Sequence, residues 1–173
     1  TALILVAENA ENCIAVAPGA NGSLSTAHIE QISKTLEDAD IVVMQAEIPY
    51  ETIKQVALMA HQKGIRIMFN PAPACHIDSE LMRIIDILVV NESEAQYISN
   101  SLIKEDNIDQ IAQKLRDAGA KAVIITLGNK GSYLKTDSEA YFIPSYPVKA
   151  IDTTAAGDVF CGALAVACAD GCI

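Results

Sequence analysis

The chain has 173 residues, 51% of them apolar and 20% charged, so it is long enough to bury its own core and too hydrophobic to be disordered. Twelve Lys plus Arg against 22 Asp plus Glu leave a formal charge of −10, the wrong sign for a nucleic-acid surface. No apolar run reaches the ~18 residues of a membrane helix, so neither nucleic acid nor membrane is an expected partner.

In chain order, Leu3–Ala7 and Ile14–Ala17 read as two short strands, with Glu8–Asn12 as the polar turn of a hairpin. Pro18-Gly19-Ala20-Asn21-Gly22 then breaks the chain. Ser25 is placed to cap a helix running to about Asp38, with Ile29, Ile32 and Leu36 on one face. Ile41–Ala46 is a compact apolar strand. In Glu51–Lys63 the apolar Ile53, Val56, Ala57 and Ala60 recur at the spacing of one helical face, and Gly64 closes the helix. The strand Ile65–Phe69 leads into the Pro-rich loop Asn70–Ala74. A short helix over Ser79–Ile84, the strand Ile87–Val90, helices over Glu92–Ser99 and Ile108–Ala118, and the strand Ala122–Thr126 follow. Ser132–Lys135 and Ala140–Ile143 read as antiparallel strands. Gly157–Ala169 is apolar on nearly every side and is expected to be a buried helix.

Alternation of strand and helix predicts βαβ units. The expected fold is α/β, a three-layer α/β/α sandwich around a mostly parallel, Rossmann-like sheet with helices on both faces. The abrupt start at Thr1, and the stop just past an apolar helix, point to a piece of a larger protein, incomplete at both ends. Five cysteines (Cys13, Cys75, Cys161, Cys168, Cys172) contain no C-x-x-C and are odd in number, which reads as free thiols in a reducing cytoplasm. Adjacent Cys75 and His76 are poorly spaced to hold one zinc. His28, His61 and His76 fall on helix or loop surface with no nucleophile beside them. Neither a G-x-x-x-x-G-K-[ST] loop nor a G-x-G-x-x-G turn occurs.

In open parallel sheets ligands bind beyond the carboxyl ends of the strands. Those ends place Gln45 and Glu47, Asn70, Asn91 and Glu94, and Thr126 with Gly128 on one rim. The most informative stretch is Asp152-Thr153-Thr154-Ala155-Ala156-Gly157-Asp158, directly before the apolar helix. Small residues at 155–157 let a ligand approach the backbone, and the outward N–H groups of a helix start carry partial positive charge. Together they form an anion hole, which is how an acidic chain could hold phosphate. Asp158 on its rim could take a proton from an attacking hydroxyl, or be a first-turn acid favoured by the helix dipole.

That stretch, continued by Val159-Phe160-Cys161-Gly162-Ala163-Leu164, resembles the signature D-T-x-A-A-G-D-x-F-x-G-A of the ribokinase-like (PfkB) carbohydrate kinases. Further segments resemble the family in the same order: Ala17–Asn21, Val43–Glu47, Asn70–Ala74, Asn91–Ala95 and Ile125–Gly131. The resemblance implies one partial ribokinase-like domain over 1–173, with 1–17 as a hairpin near the lid. It implies ATP-dependent phosphoryl transfer to a sugar hydroxyl, D-ribose to D-ribose 5-phosphate, with ATP, Mg²⁺ and K⁺, in a cytoplasmic enzyme whose complete form is a homodimer. Under it Asp158 is the catalytic base and a sugar ligand, and Ala155, Ala156 and Gly157 supply the anion hole. Glu47 touches the sugar. Asn91, Thr126, Leu127, Gly128, Asn129, Lys130 and Gly131 bind ATP with Gly157 and Asp158. Glu94 organises Mg²⁺ through water, and Asp152 with Thr154 holds K⁺.

Several of these residues have a plainer reading. Asn91 and Glu94 suit a helix N-cap and its capping-box partner. Gly128–Gly131 suits a hairpin turn, and Glu47 a loop acid before Pro49. Another kinase of the family, acting on fructose, a nucleoside or another sugar, is the alternative. A catalytically incompetent nucleotide-binding fragment is the other.

Overall fold

The computed structural model describes residues 1–6, 12–104 and 106–171. Its core is a six-stranded sheet whose strands lie side by side in chain order: β3 (Ile41–Gln45), β4 (Arg66–Asn70), β5 (Ile87–Asn91), β6 (Ala122–Thr126), β7 (Gly131–Lys135) and β8 (Ala140–Pro144). The first four pair in parallel and the last two antiparallel. Ahead of them, β1 (Ala2–Val6) and β2 (Asn12–Val16) pair antiparallel as a separate ribbon. Of the polar turn expected at Glu8–Asn12, all but Asn12 lies outside the described residues.

The helices are α1 (Ala20–Ser23), α2 (Thr26–Ile32), α3 (Tyr50–Gln62), α4 (Ser79–Ile84), α5 (Glu92–Ser99), α6 (Ile108–Asp117) and α7 (Ala156–Ala169). Two expectations need correction near the start. The Pro18–Gly22 break contains the one-turn α1. The helix expected from Ser25 to Asp38 ends at Ile32 and tightens into a 3₁₀ turn over Ser33–Leu36. Ser25 does head α2: its backbone N–H donates to Nδ1 of His28, 3.2 Å away.

The central strands are buried on both sides, and their side chains alternate with period two. Ile67, Phe69, Leu88, Val90, Val123 and Ile125 face one core together with Ile53, Leu81 and Leu115 of the connecting helices. Met68, Val89 and Ile124 face the other, against Cys161, Ala165 and Cys168 of α7. The imbalance follows from topology. Right-handed crossovers between strands laid down in one direction put every connecting helix on the same face. Among the described helices only α7, which follows the β7–β8 hairpin, reaches the other.

This corrects the expectation for the last helix. α7 is not buried all round: Cys161, Ala165 and Cys168 are covered, whereas Val159 and Val166 are 69% and 61% exposed. An apolar sequence says only that every face could be buried, and among the described residues one face is. Arg66 of β4 fastens the far end of α7 by donating from its guanidinium to the carbonyl of Cys168. No helix among the described residues is long and apolar enough to cross a membrane.

Candidate active site

All four parallel strands end in a polar residue, Gln45, Asn70, Asn91 and Thr126. Parallel pairing aligns them, Gln45 beside Asn70 and Asn91 beside Thr126, so the sheet presents one polar rim. The start of α7 is laid across that rim. Its N-cap, Ala155, takes the left-handed conformation at φ 60° and offers no side-chain cap. The Ala156 N–H is used by the carbonyl of Thr153 and the Val159 N–H by that of Ala155. Between them, the N–H groups of Gly157 and Asp158 meet no acceptor among the described residues. A Cβ built on Gly157 would touch nothing within 4 Å, so the space over these donors is open. At this helix start the structure has two N–H groups without an acceptor among the described residues, small side chains and room above them, the elements from which an anion site can be built.

Asp158 stands exposed on the first turn of α7. Its Oδ1 accepts a hydrogen bond from Nε2 of Gln45, 2.6 Å away and 113 residues distant in sequence. Glu94 is 6% exposed. Its Oε2 accepts from the Asn91 N–H at 2.8 Å and from Nδ2 of Asn70 at 3.4 Å, while Oδ1 of Asn91 accepts from the Glu94 N–H. The capping-box reading of Asn91 and Glu94 therefore holds. It leaves Oε1 of Glu94 without a protein donor among the described residues. Burial pushes the Glu94 carboxyl above its ordinary range, against the pull of the Asn91 and Asn70 donors. Cys161, one turn beyond Asp158, has its thiol pushed up to about 11 by burial and by the carboxylates of Asp158 and Glu94. It is a neutral wall, not a nucleophile.

Three cavities meet at this helix start. The central one, about 310 Å³, is lined by Asn70, Asn91, Glu94, Thr126, residues 153–158 and Cys161. A second, about 450 Å³, opens toward the β1–β2 ribbon; its polar groups include Asn21, Glu47 and Asp158. There Nδ2 of Asn21 donates to Oε2 of Glu47 at 3.4 Å. The third, about 510 Å³ and more apolar, lies over the β6–β7 turn between Thr126, Gly128, Gly131, Tyr146, Gly157 and Phe160. The second and third share no residue. The central cavity shares Ile14, Thr154, Ala155 and Asp158 with one, and Thr126, Ala156 and Gly157 with the other.

The remaining residues singled out in the sequence sit around this constellation. Residues 128–130 form a 3₁₀ turn closing the β6–β7 hairpin, as the plainer reading of that segment expects. Leu127 sends its side chain into the main core, so only its backbone faces the turn. The Asn129 carbonyl is taken by the Ser145 hydroxyl, and Lys130 is exposed. Asp152 accepts from the Thr154 N–H at 2.8 Å, which holds its carboxyl below the usual range. No cluster of three or more His, Cys, Asp or Glu gathers among the described residues. The cysteines described as free are Cys75, Cys161 and Cys168. Gln45 and Asn70 were visible in the sequence as strand ends and as members of segments resembling the family, with no role attached. Their partners, Asp158 and Glu94, lie far along the chain, and no local pattern announces either contact.

Comparison with known proteins agrees with this geometry. Residues 1–172 match the pfkB family carbohydrate kinase profile. Ribokinase of Schizosaccharomyces pombe is 39% identical over 98% of this chain and 55% of its own length. The structure of ribokinase from Thermotoga maritima superposes with a TM-score of 0.83 at 37% identity, covering 98% of this chain and 56% of that one. Arabidopsis thaliana ribokinase, in a structure complexed with ribose and ATP, also gives 0.83, at 30% identity and the same coverage. The chain thus spans about half the length of the relatives it matches. With its six-stranded sheet, its bare helix start and a match running almost end to end, the chain belongs to the pfkB family of carbohydrate kinases.

Proposed function

We propose that the protein carrying this chain transfers the terminal phosphoryl group of ATP to a sugar hydroxyl, converting D-ribose to D-ribose 5-phosphate. The observation that carries this reading is the order of the three cavities. Two separate chambers reach the same helix start, one from the Asp158 and Glu47 side, the other from the Gly157 and β6–β7 side. A donor and an acceptor seated in them meet over the Gly157 and Asp158 N–H groups.

Sugar enters on the Glu47 side, where Glu47 and Asp158 accept hydrogen bonds from its hydroxyls. Nucleotide enters over Thr126 and the turn Leu127–Gly131, with Asn91 at the phosphate end. Asp158 takes the proton of the attacking hydroxyl. The new oxygen–phosphorus bond forms as the bond to ADP breaks, and the proton passes on to solvent. Charge spread over the transferred group is met by the N–H groups of Gly157 and Asp158, fixed in advance, while Ala155 and Ala156 supply the small side chains that leave room; the Ala156 N–H, expected to join the hole, is taken by the Thr153 carbonyl. Glu94 fits a magnesium ion held through water, since it lines the central cavity, one carboxylate oxygen keeps no protein donor among the described residues, and a cation would offset the cost of burying the side chain. Magnesium would neutralise charge on the ATP phosphates. Asp152 and Thr154 offer only part of the oxygen shell potassium needs, so no step is drawn through that ion.

Two observations favour other readings. The Glu47 chamber is walled mainly by apolar residues of the ribbon, such as Ile4, Ile14 and Val16, and these do not single out ribose. Fructose, another sugar or a nucleoside is the second acceptor class. The ribbon is also open, with Leu3 and Leu5 each 63% exposed, which favours nucleotide binding without turnover by the 173-residue chain alone. A coupled ADP-release assay separates these, run with ATP, Mg²⁺, K⁺ and a panel of sugars and nucleosides on this chain and on the complete gene product. Asp158→Asn is expected to lower kcat by about 10²–10⁴-fold, the contribution of a general base, with ATP binding unchanged. A complete protein that releases no ADP with any acceptor would overturn the reading.

A further inference from the structure

Gln45 closes β3, the outermost parallel strand, and pairs with Asn70 of β4. Strand alternation turns Met44 into the helix-covered core. Ile41 packs on the α7 side, and Gln45, four residues on, shares that side. There its carboxamide nitrogen lies 2.6 Å from Oδ1 of Asp158, a short contact for N–H···O. We infer that Gln45 is a positioning residue for proton transfer: it occupies Oδ1 of Asp158 and leaves Oδ2 to face the acceptor hydroxyl. The inference rests on the kinase reading above.

The chemistry of the pair suits that task. An aspartate on the exposed first turn of a helix has rotamer freedom, and it borders both the central and the Glu47-side cavities. A base free to swing between them meets the hydroxyl in productive geometry only part of the time. One fixed donor removes that freedom. An amide does so without a formal charge: Lys or Arg in its place would form an ion pair and hold the proton acceptor's charge to itself. The amide N–H is also far too weak an acid to give its proton to the base. Its nitrogen must face the carboxylate, because the opposite flip would set two oxygens 2.6 Å apart. The donor comes from a strand anchored by parallel pairing along its length, so the carboxylate is referenced to the sheet as well as to the start of its own helix.

The test uses the complete gene product, with Gln45→Met, Gln45→Ala, Asp158→Asn and the double variant Gln45→Met/Asp158→Asn. Methionine matches glutamine in length and bulk and removes only the donor. Gln45→Met and Gln45→Ala are expected to lower kcat about 10–100-fold, the scale of a misplaced catalytic group, with KM for ATP and the thermal midpoint unchanged. On the Asp158→Asn background Gln45→Met is expected to add nothing, because it acts through that carboxylate. An unchanged kcat in the single variants overturns the inference and leaves the kinase reading standing. So does an equal further loss in the double variant, which would mark Gln45 as a structural tie. A wild-type protein that phosphorylates no acceptor overturns both.

Discussion

Gly131 and Gly157 both belong to the segments that resemble the kinase family, yet the structure asks different things of them. A Cβ at Gly131 would stand 2.0 Å from the carbonyl oxygen of Ile143, and φ there is 117°. The β7–β8 pairing itself forbids a side chain. Gly131→Ala should cost about 2–3 kcal/mol in a urea melt, with or without nucleotide. Nothing lies within 4 Å of a Cβ at Gly157. Gly157→Ala should therefore melt like the wild type while lowering kcat about 10²-fold, the loss expected when a donor to a developing anion is obstructed. Glu94 makes the opposite trade. Burial raises its folded carboxyl above the ordinary 4.5, so the folded state binds the proton more tightly than the unfolded chain. That contribution to stability is present below about 4.5 and is lost as pH rises through the raised value. Glu94→Gln keeps an acceptor for the Asn91 N–H and removes the charge. It should melt higher than wild type at pH 7, with the gap closing toward pH 4, and should lose Mg²⁺-dependent turnover.

Single elements were legible where one physical rule decided them. The helical spacing of Ile53, Val56, Ala57 and Ala60 names the core-facing side of α3, with Val56 only half-buried. The strands could be placed because apolar runs of three or four residues ended at polar ones, and those same polar ends became the rim of the site. Failure came where local sequence underdetermines the outcome. In α7 every face is apolar, so pattern cannot say which face meets the sheet; that depends on how many layers lie above it. Between Ser33 and Leu36 no glycine or proline marks the change to a tighter turn. The helix start before Gly157 was legible because small residues in series have few other uses. Its partner Gln45 was not, since the contact spans 113 residues and depends on strand order.

Across the whole molecule, the sheet's two faces are unequally protected. One is covered by α3, α4, α5 and α6, packed over a large continuous core. Among the described residues, the other rests on α7 through Cys161, Ala165 and Cys168. The chemistry proposed here sits on the thinly held side, because among the described residues the helix that starts at the polar rim and crosses that face is α7. Opening of such a layer needs less free energy than global unfolding. Amide hydrogens of residues 161–168 should exchange with solvent well before those of β4, β5 and β6, as mass spectrometry of exchanged peptides would read. Mild denaturant should accordingly silence the protein while its far-ultraviolet circular dichroism still reports nearly all of its helix and strand. Inactivation and unfolding would then be two transitions, and an inactive sample would still be a folded one.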